Sequence, residues 1–232
     1  MKLAICISGL PRSFKRTYDS LNKYILSQHD CDIFISTWEF ISSNDQAKIY
    51  SQDGSVEEYI SLYKPKSYEV EKFTHDTLES LFNYTSLKKT YGILPSLLPM
   101  SYKVYKTNKM RLEFETLNNI KYDAIVRTRS DLSYQSSIPN EEILIVNNGE
   151  CFTRTSKHHP LTPLDSPMRI SDLYFLSNSE NANKYSNFYL DIESVLEQTQ
   201  NFIAEINLEK HLENNNVKWL HTGLSTELIR DE

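Results

Sequence analysis

Apolar positions recur along this chain in two rhythms. Residues 2–8, KLAICIS, are a nearly unbroken apolar run of the kind that forms an interior strand. After a polar turn, Phe14, Tyr18, Leu21, Tyr24 and Ile25 fall at helical spacing, and residues 31–38, CDIFISTW, form a second short apolar run. Strand, helix and strand of these lengths predict a βαβ unit with a parallel pairing and a right-handed crossover. Residues 41–56 are polar and turn-rich, which predicts a loop on the ligand side of the sheet. Residues 65–73, PKSYEVEKF, alternate as a third strand.

The second half continues the alternation. Residues 76–90 carry Leu78, Leu81 and Phe82 on one helical face, the stretch YGILPSLLPM breaks at its prolines, and a helix resumes from Ser101 to Leu117 with Tyr102, Tyr105 and Leu112 among its apolar positions. Residues 122–131 read as a strand, and EILIVNN and CFTRT as shorter ones. Residues 155–170 have no period, and a loop of that length inside a compact domain usually serves as a lid or binding loop. SDLYFLSN, residues 171–178, is a strand. A helix over 179–198, a short helix in NLEKHLENNN and a final strand in VKWLHT complete the chain. This is one α/β domain over 1–232, a mostly parallel sheet with helices on both faces.

Composition narrows the class. A chain of 232 residues with 39% hydrophobic and 12% aromatic positions can bury a full core, and five glycines exclude fibrous or low-complexity architectures. Three cysteines without a CxxC spacing point to reduced thiols, and no run of about 20 apolar residues predicts a span or leader, so a cytoplasmic protein is expected. The net charge of -6 is uneven: residues 140–232 hold 7 basic and 15 acidic side chains, and the remainder holds 18 and 16. A mildly basic first part suits a phosphate-bearing small molecule and argues against nucleic acid.

Four polar clusters fall at strand ends, where open α/β sheets bind ligands. Ser8, Gly9, Arg12 and Ser13 follow the first strand and open a helix, whose N-terminal N–H groups favour an anion. Thr37 and Trp38 end the second strand. Arg127, Arg129 and Asp131 alternate at the end of AIV, so in an extended strand they would share one face. Asp172 opens a later strand and is a candidate general base.

These stretches resemble a known family. AICISGLPRSF, CDIFISTW, YKPKSYEVE, MSYKVYKTN and YDAIVRTRSDL occur in the order seen in bacterial glycosyltransferase-like proteins of surface-polysaccharide loci, which have a GT-A (Rossmann-like) fold. AIVRTRSDLSY is similar to their strand followed by Asp-X-Asp, with Arg129 in the place of the first Asp and Asp131 in the second. The resemblance implies a nucleotide-diphosphate-sugar transferase that builds capsule, O-antigen or lipooligosaccharide. Residues 1–135 would be the nucleotide-binding part and 136–232 the acceptor side.

Carried over position by position, it places Ser8, Gly9, Arg12, Thr37, Trp38, Arg127 and Arg129 at the donor, with Arg129, Asp131 and Asp172 in the chemistry. Mn²⁺ or Mg²⁺ would be held by Asp131 and His221 of WLHTG. The missing Asp leaves metal-independent action open, because a fixed guanidinium can supply the same positive charge. The acceptor would be a saccharide, free or lipid-linked. The latter would bring the protein to the inner face of the cytoplasmic membrane as a peripheral protein.

Two other classes fit parts of the pattern. ISGLPRSFKRTYDSL also resembles the phosphosulfate loop of sulfotransferases that use 3'-phosphoadenosine-5'-phosphosulfate. It departs from that loop at Phe14, Lys15 and Arg16, where a glycine and hydroxyl residues belong. A non-catalytic nucleotide-sugar-binding module is the third reading.

Overall fold

The structure, a computed structural model, describes residues 1–40, 53–91, 97–155 and 170–229. Among them, seven strands form one sheet: β1 (Lys2–Gly9), β2 (Asp30–Phe40), β3 (Ser67–Phe73), β4 (Ala124–Thr128), β6 (Glu150–Thr155), β7 (Ile170–Ser177) and β8 (Lys218–His221). They stand in the order β3-β2-β1-β4-β7-β6-β8. Two short strands, β5 (Leu132–Tyr134) and β9 (Thr226–Leu228), pair antiparallel in a second sheet.

β1 is central because it can be: Leu3 to Ser8 are buried on both faces, as a strand flanked on either side must be. It pairs parallel with β2, Gly9 opposite Thr37, and parallel with β4, Cys6 opposite Arg127. β7 runs against both β4 and β6, so the sheet is mixed rather than all parallel. That reversal brings the beginning of β7 to the edge where the parallel strands end.

Helices cover both faces. On one, Leu3, Ile5 and Ile7 pack with α1 (Phe14–Leu21), α2 (Val56–Tyr63) and α6 (Asn140–Val146) through Phe14, Tyr59, Tyr63, Ile143 and Val146. On the other lie α5 (Leu97–Asn118), α7 (Ser179–Ser186), α8 (Phe188–Thr199) and α9 (Ala204–Asn214). Trp38, Tyr102, Tyr185, Phe188 and Leu208 belong to that second core.

Several elements differ from the sequence expectation. EILIVNN is the helix α6, not a strand: Pro139 caps it, Glu141 and Glu142 sit in its first turn, and Ile143 and Val146 turn inward while Leu144 faces out. The strand expected over 122–131 stops at Thr128. The helix expected over 76–90 is two, α3 (His75–Phe82) and α4 (Tyr84–Tyr91), divided at Asn83, whose φ of 48° ends the first. The helix expected over 179–198 likewise divides at Asn187 into α7 and α8.

Helix α2 was hidden next to a polar stretch, although Ser55 and Glu58 form a full capping box before it. α5 begins at Leu97 because Pro99 lies in its first turn, where its missing N–H costs nothing. The first helix passes into a π-helical turn over Asn22–Leu26. The loops expected over 41–56 and 155–170 fall mostly outside the described residues.

All three cysteines are free. Among the described residues, no helix is long and apolar enough to cross a membrane.

Candidate functional site

The chain runs from β1 outward to β2 and β3, then returns to β4 on the other side of β1. The strand order therefore reverses between β1 and β4, and the loops after these two strands lie at that reversal, the usual ligand site of an open α/β sheet. β1 leaves the sheet through Gly9, whose φ of +110° disfavours any residue with a Cβ. The loop after it is tied to the loop after β4. Ser130 Oγ donates to the Leu10 carbonyl at 2.7 Å, and Thr17 Oγ1 on α1 donates to the Ser130 carbonyl at 2.6 Å. The C-terminal strand is fastened to both: the Ile229 N–H donates to the Asp131 carbonyl at 2.8 Å, and Ser13 Oγ donates to the Ile229 carbonyl at 2.7 Å.

This scaffold holds a charge cluster. Asp131, 1% exposed, accepts two bonds from Arg129, at 2.9 and 2.6 Å, and one from Arg12 at 3.1 Å. Arg129 also places Nη1 3.6 Å from Asp172 at the start of β7. Two guanidiniums from different loops are thus fixed side by side by one buried carboxylate, and the start of β7 adds a second carboxylate.

Sequence reasoning missed two members. Glu205 lies in the first turn of α9, and its carboxyl is pushed up to about 7 by burial and then by the negative charge of Asp172, with Arg129 opposing. Acidic residues are common in first helical turns, and its charged neighbours are remote in sequence, so no local signal marked it. Arg154 on β6 donates to the Thr226 carbonyl at 3.0 Å; burial lowers its pKa, and the charge of Asp172 opposes that. It was legible only as a polar position in CFTRT.

Other expected residues sit elsewhere. Arg127 does not share a strand face with Arg129 and Asp131, because β4 ends between them. It is buried on the α5 side of the sheet, and none of its three guanidinium nitrogens has a protein partner. Ser8 and Thr37 are buried nearby in the sheet with unpartnered hydroxyls. Trp38 is core: it stacks on Tyr102, donates from Nε1 to the Pro99 carbonyl at 3.3 Å, and carries the Lys103 ammonium 3.9 Å above its ring. His221 is exposed on β8, opposite Thr153.

A divalent metal does not fit these donors. Both oxygens of Asp131 already accept from guanidiniums, so two positive charges occupy the ground a cation would need. Among the described residues, no three His, Cys, Asp or Glu side chains come together as a metal-binding group. The cluster instead suits an anion: Arg12, Arg129 and Arg154 outnumber Asp131 and Asp172 while Glu205 is protonated.

No protein-family model matches the chain, and no curated protein matches it in sequence.

Proposed function

We propose that the protein is a GT-A-like glycosyltransferase. It would move a sugar from a nucleoside-diphosphate donor to a saccharide acceptor, free or lipid-linked, in surface-polysaccharide synthesis. One observation carries this reading: Arg12 and Arg129, fixed by Asp131, stand where the strand order reverses between β1 and β4. A preset pair of planar donors at that place suits the two phosphates of such a donor.

The chemistry follows from the groups around it. The acceptor hydroxyl oxygen bonds to the anomeric carbon as the bond from that carbon to the phosphate oxygen breaks. Negative charge gathers on the departing diphosphate, where Arg12 and Arg129 stabilise it without a metal. The hydroxyl proton passes to a carboxylate on the α9 side, Glu205 or Asp172. Glu205, with a pKa of about 7, is matched to accepting a proton near neutrality, and burial together with its Asp172 neighbour keeps it so. Asp131 positions the arginines and ligates no metal in this scheme. A lipid-linked acceptor would draw the protein to the cytoplasmic face of a membrane.

The test is thermal unfolding with UDP, GDP, CDP, CMP and adenosine 3',5'-bisphosphate, each with and without Mn²⁺, followed by turnover of the matching sugar nucleotide. A ligand that binds only the folded state raises the midpoint. The reading expects one nucleoside diphosphate to stabilise the protein without metal, the effect to vanish in Arg129→Ala, and the sugar to be transferred. Response to the bisphosphate alone would instead select the sulfotransferase, and binding without turnover a sugar-nucleotide-binding module.

A further inference from the structure

On the α5 side of the sheet, beneath the reversal of strand order, lies a separate pocket that this reading does not use. Cys6 and Ser8 of β1 and Arg127 of β4 form its floor, and helices α5 and α7 roof it through Asn108 and Tyr185. The space is about 10 Å³, room for roughly one water-sized particle. Register explains the floor. Cys6 stands opposite Arg127 in the parallel pairing, and Ser8, two residues on, shares the face.

The contents of the wall are one-sided. Arg127 is 5% exposed and always charged, and its Nε, Nη1 and Nη2 have no protein partner; the Ser8 hydroxyl, also 5% exposed, has none. No Asp or Glu lines the pocket. The carboxylates of this region are engaged elsewhere: Asp131 with Arg12 and Arg129, Asp172 with Arg129 and Glu115 with Arg111, while burial favours the neutral form of Glu205. Burial pushes the Cys6 thiol and the Tyr185 phenol up to about 12, so neither supplies a negative charge. The hydroxyls of Thr107, Ser177 and Ser186 are spent on the backbone carbonyls of Lys103, Asn178 and Asn183.

A buried cation without a counter-charge is among the costliest features a fold can carry. A water would satisfy hydrogen bonds but leave the charge uncompensated, and room for about one water-sized particle suits a small anion better than a phosphate or sulfate. We infer that this pocket binds a monatomic anion of chloride size, held by the Arg127 guanidinium and the Ser8 hydroxyl. The anion neutralises β4 from below and locks the central strands to α5 and α7. It is distinct from any phosphate taken by Arg12 and Arg129 above.

The experiment is thermal unfolding of the full chain in sodium chloride and sodium bromide titrated against sodium gluconate at constant ionic strength. Halide should raise the midpoint saturably, by about 2–4 °C at high occupancy. The response should persist in Arg129→Met, which removes the upper site, and vanish in Arg127→Met. Should Arg127→Met fail to fold, Ser8→Ala should shift the halide titration to higher concentration. Bromide-soaked crystals of the unaltered protein should also show an anomalous peak beside Arg127. Equal midpoints in chloride and gluconate, a response that survives Arg127→Met, or bromide found only beside Arg12 and Arg129 would each overturn the inference.

Discussion

Arg129 holds Asp131 with both arms of its guanidinium fork, Nε to Oδ1 at 2.9 Å and Nη2 to Oδ2 at 2.6 Å, although the two residues stand only two apart in the chain. That geometry needs a turn, and the turn exists because β4 stops at Thr128. The same carboxylate accepts from Arg12, so one buried anion orders two cations. Asp131→Asn keeps the shape but loses the charge and turns an N–H₂ toward one guanidinium. It should lower stability by about 2–4 kcal/mol, since a paired buried charge is left without its partner. On the proposed function, affinity for the nucleoside diphosphate should fall roughly tenfold as the arginines lose their aim. Urea unfolding and calorimetric titration measure the two effects. Unchanged values in both would show that the carboxylate does not order the pair.

Glu205 ties stability to pH with a definite sign. Its folded pKa of about 7 lies above its ordinary 4.5, so between these values the folded protein keeps a proton that the unfolded chain releases. Its contribution is therefore fully present below about pH 4.5 and is lost as pH rises through about 7. The loss is on the order of 3 kcal/mol. Glu205→Gln should flatten the dependence across that window and be the more stable form above about pH 7. If Glu205 accepts the hydroxyl proton, the same variant should lower turnover about 10²- to 10⁴-fold and erase the pH–rate inflection near 7. Loss of the stability slope with full turnover would leave the base role to Asp172.

How far the sequence could be read follows from which interactions are local. The apolar run over Leu3–Ile7 and the helical spacing of Phe14 and Leu21 are local, and they led to the correct interior strand, its crossover and the α/β class. Arg12 and Arg129 could be grouped because both follow the ends of strands, where open α/β sheets bind ligands, and the structure brings both onto Asp131. Period-2 reasoning failed at Arg127 because it presumes a continuing strand, and alternation cannot report where one ends. It failed again at EILIVNN, where β-branched residues look like a strand but Pro139 and the acidic first turn impose a helix. The antiparallel course of β7, the β5–β9 pair and the position of Glu205 depend on distant pairings that leave no periodic trace.

Glu142, misread as part of a strand, is a fastening point for the site. It is 5% exposed, and its two oxygens accept from Thr222 Oγ1 and from the Gly223 N–H, each at 2.7 Å. That turn leads into β9, whose pairing with β5 precedes the bond from Ile229 to Asp131. Glu142→Ala strands both donors and should cost about 2–3 kcal/mol. Amide exchange over 226–229 should accelerate beyond the global change, because the tie beneath the Asp131 loop is loosened. Exchange that rises only in step with global stability would mean that the strand pair holds without it.

His211 opposes Glu205 in sign, and the two can be separated on the same helix. The ring is 1% exposed, and Nε2 donates to the Lys184 carbonyl at 2.7 Å. Nδ1 faces Asp191 at 3.3 Å and Asn215 at 3.5 Å, with the Phe188 ring 5.5 Å away. Burial lowers its pKa below the ordinary 6.5, against the pull of the Lys184 carbonyl and Asp191. The unfolded chain therefore takes up a proton that the folded one resists, and the contribution of His211 is present above pH 6.5 and lost as pH falls through the folded value. His211→Gln retains a donor for Lys184 and should cost about 1–2 kcal/mol at neutral pH. It should also remove a destabilisation that the unaltered protein suffers on acidification. Against wild type, the difference curve for His211→Gln should shrink toward acid pH, whereas that for Glu205→Gln should grow toward alkaline pH. Parallel urea series on the two variants decide this: a flat difference curve for either variant would show that its group titrates in the folded protein as it does in water.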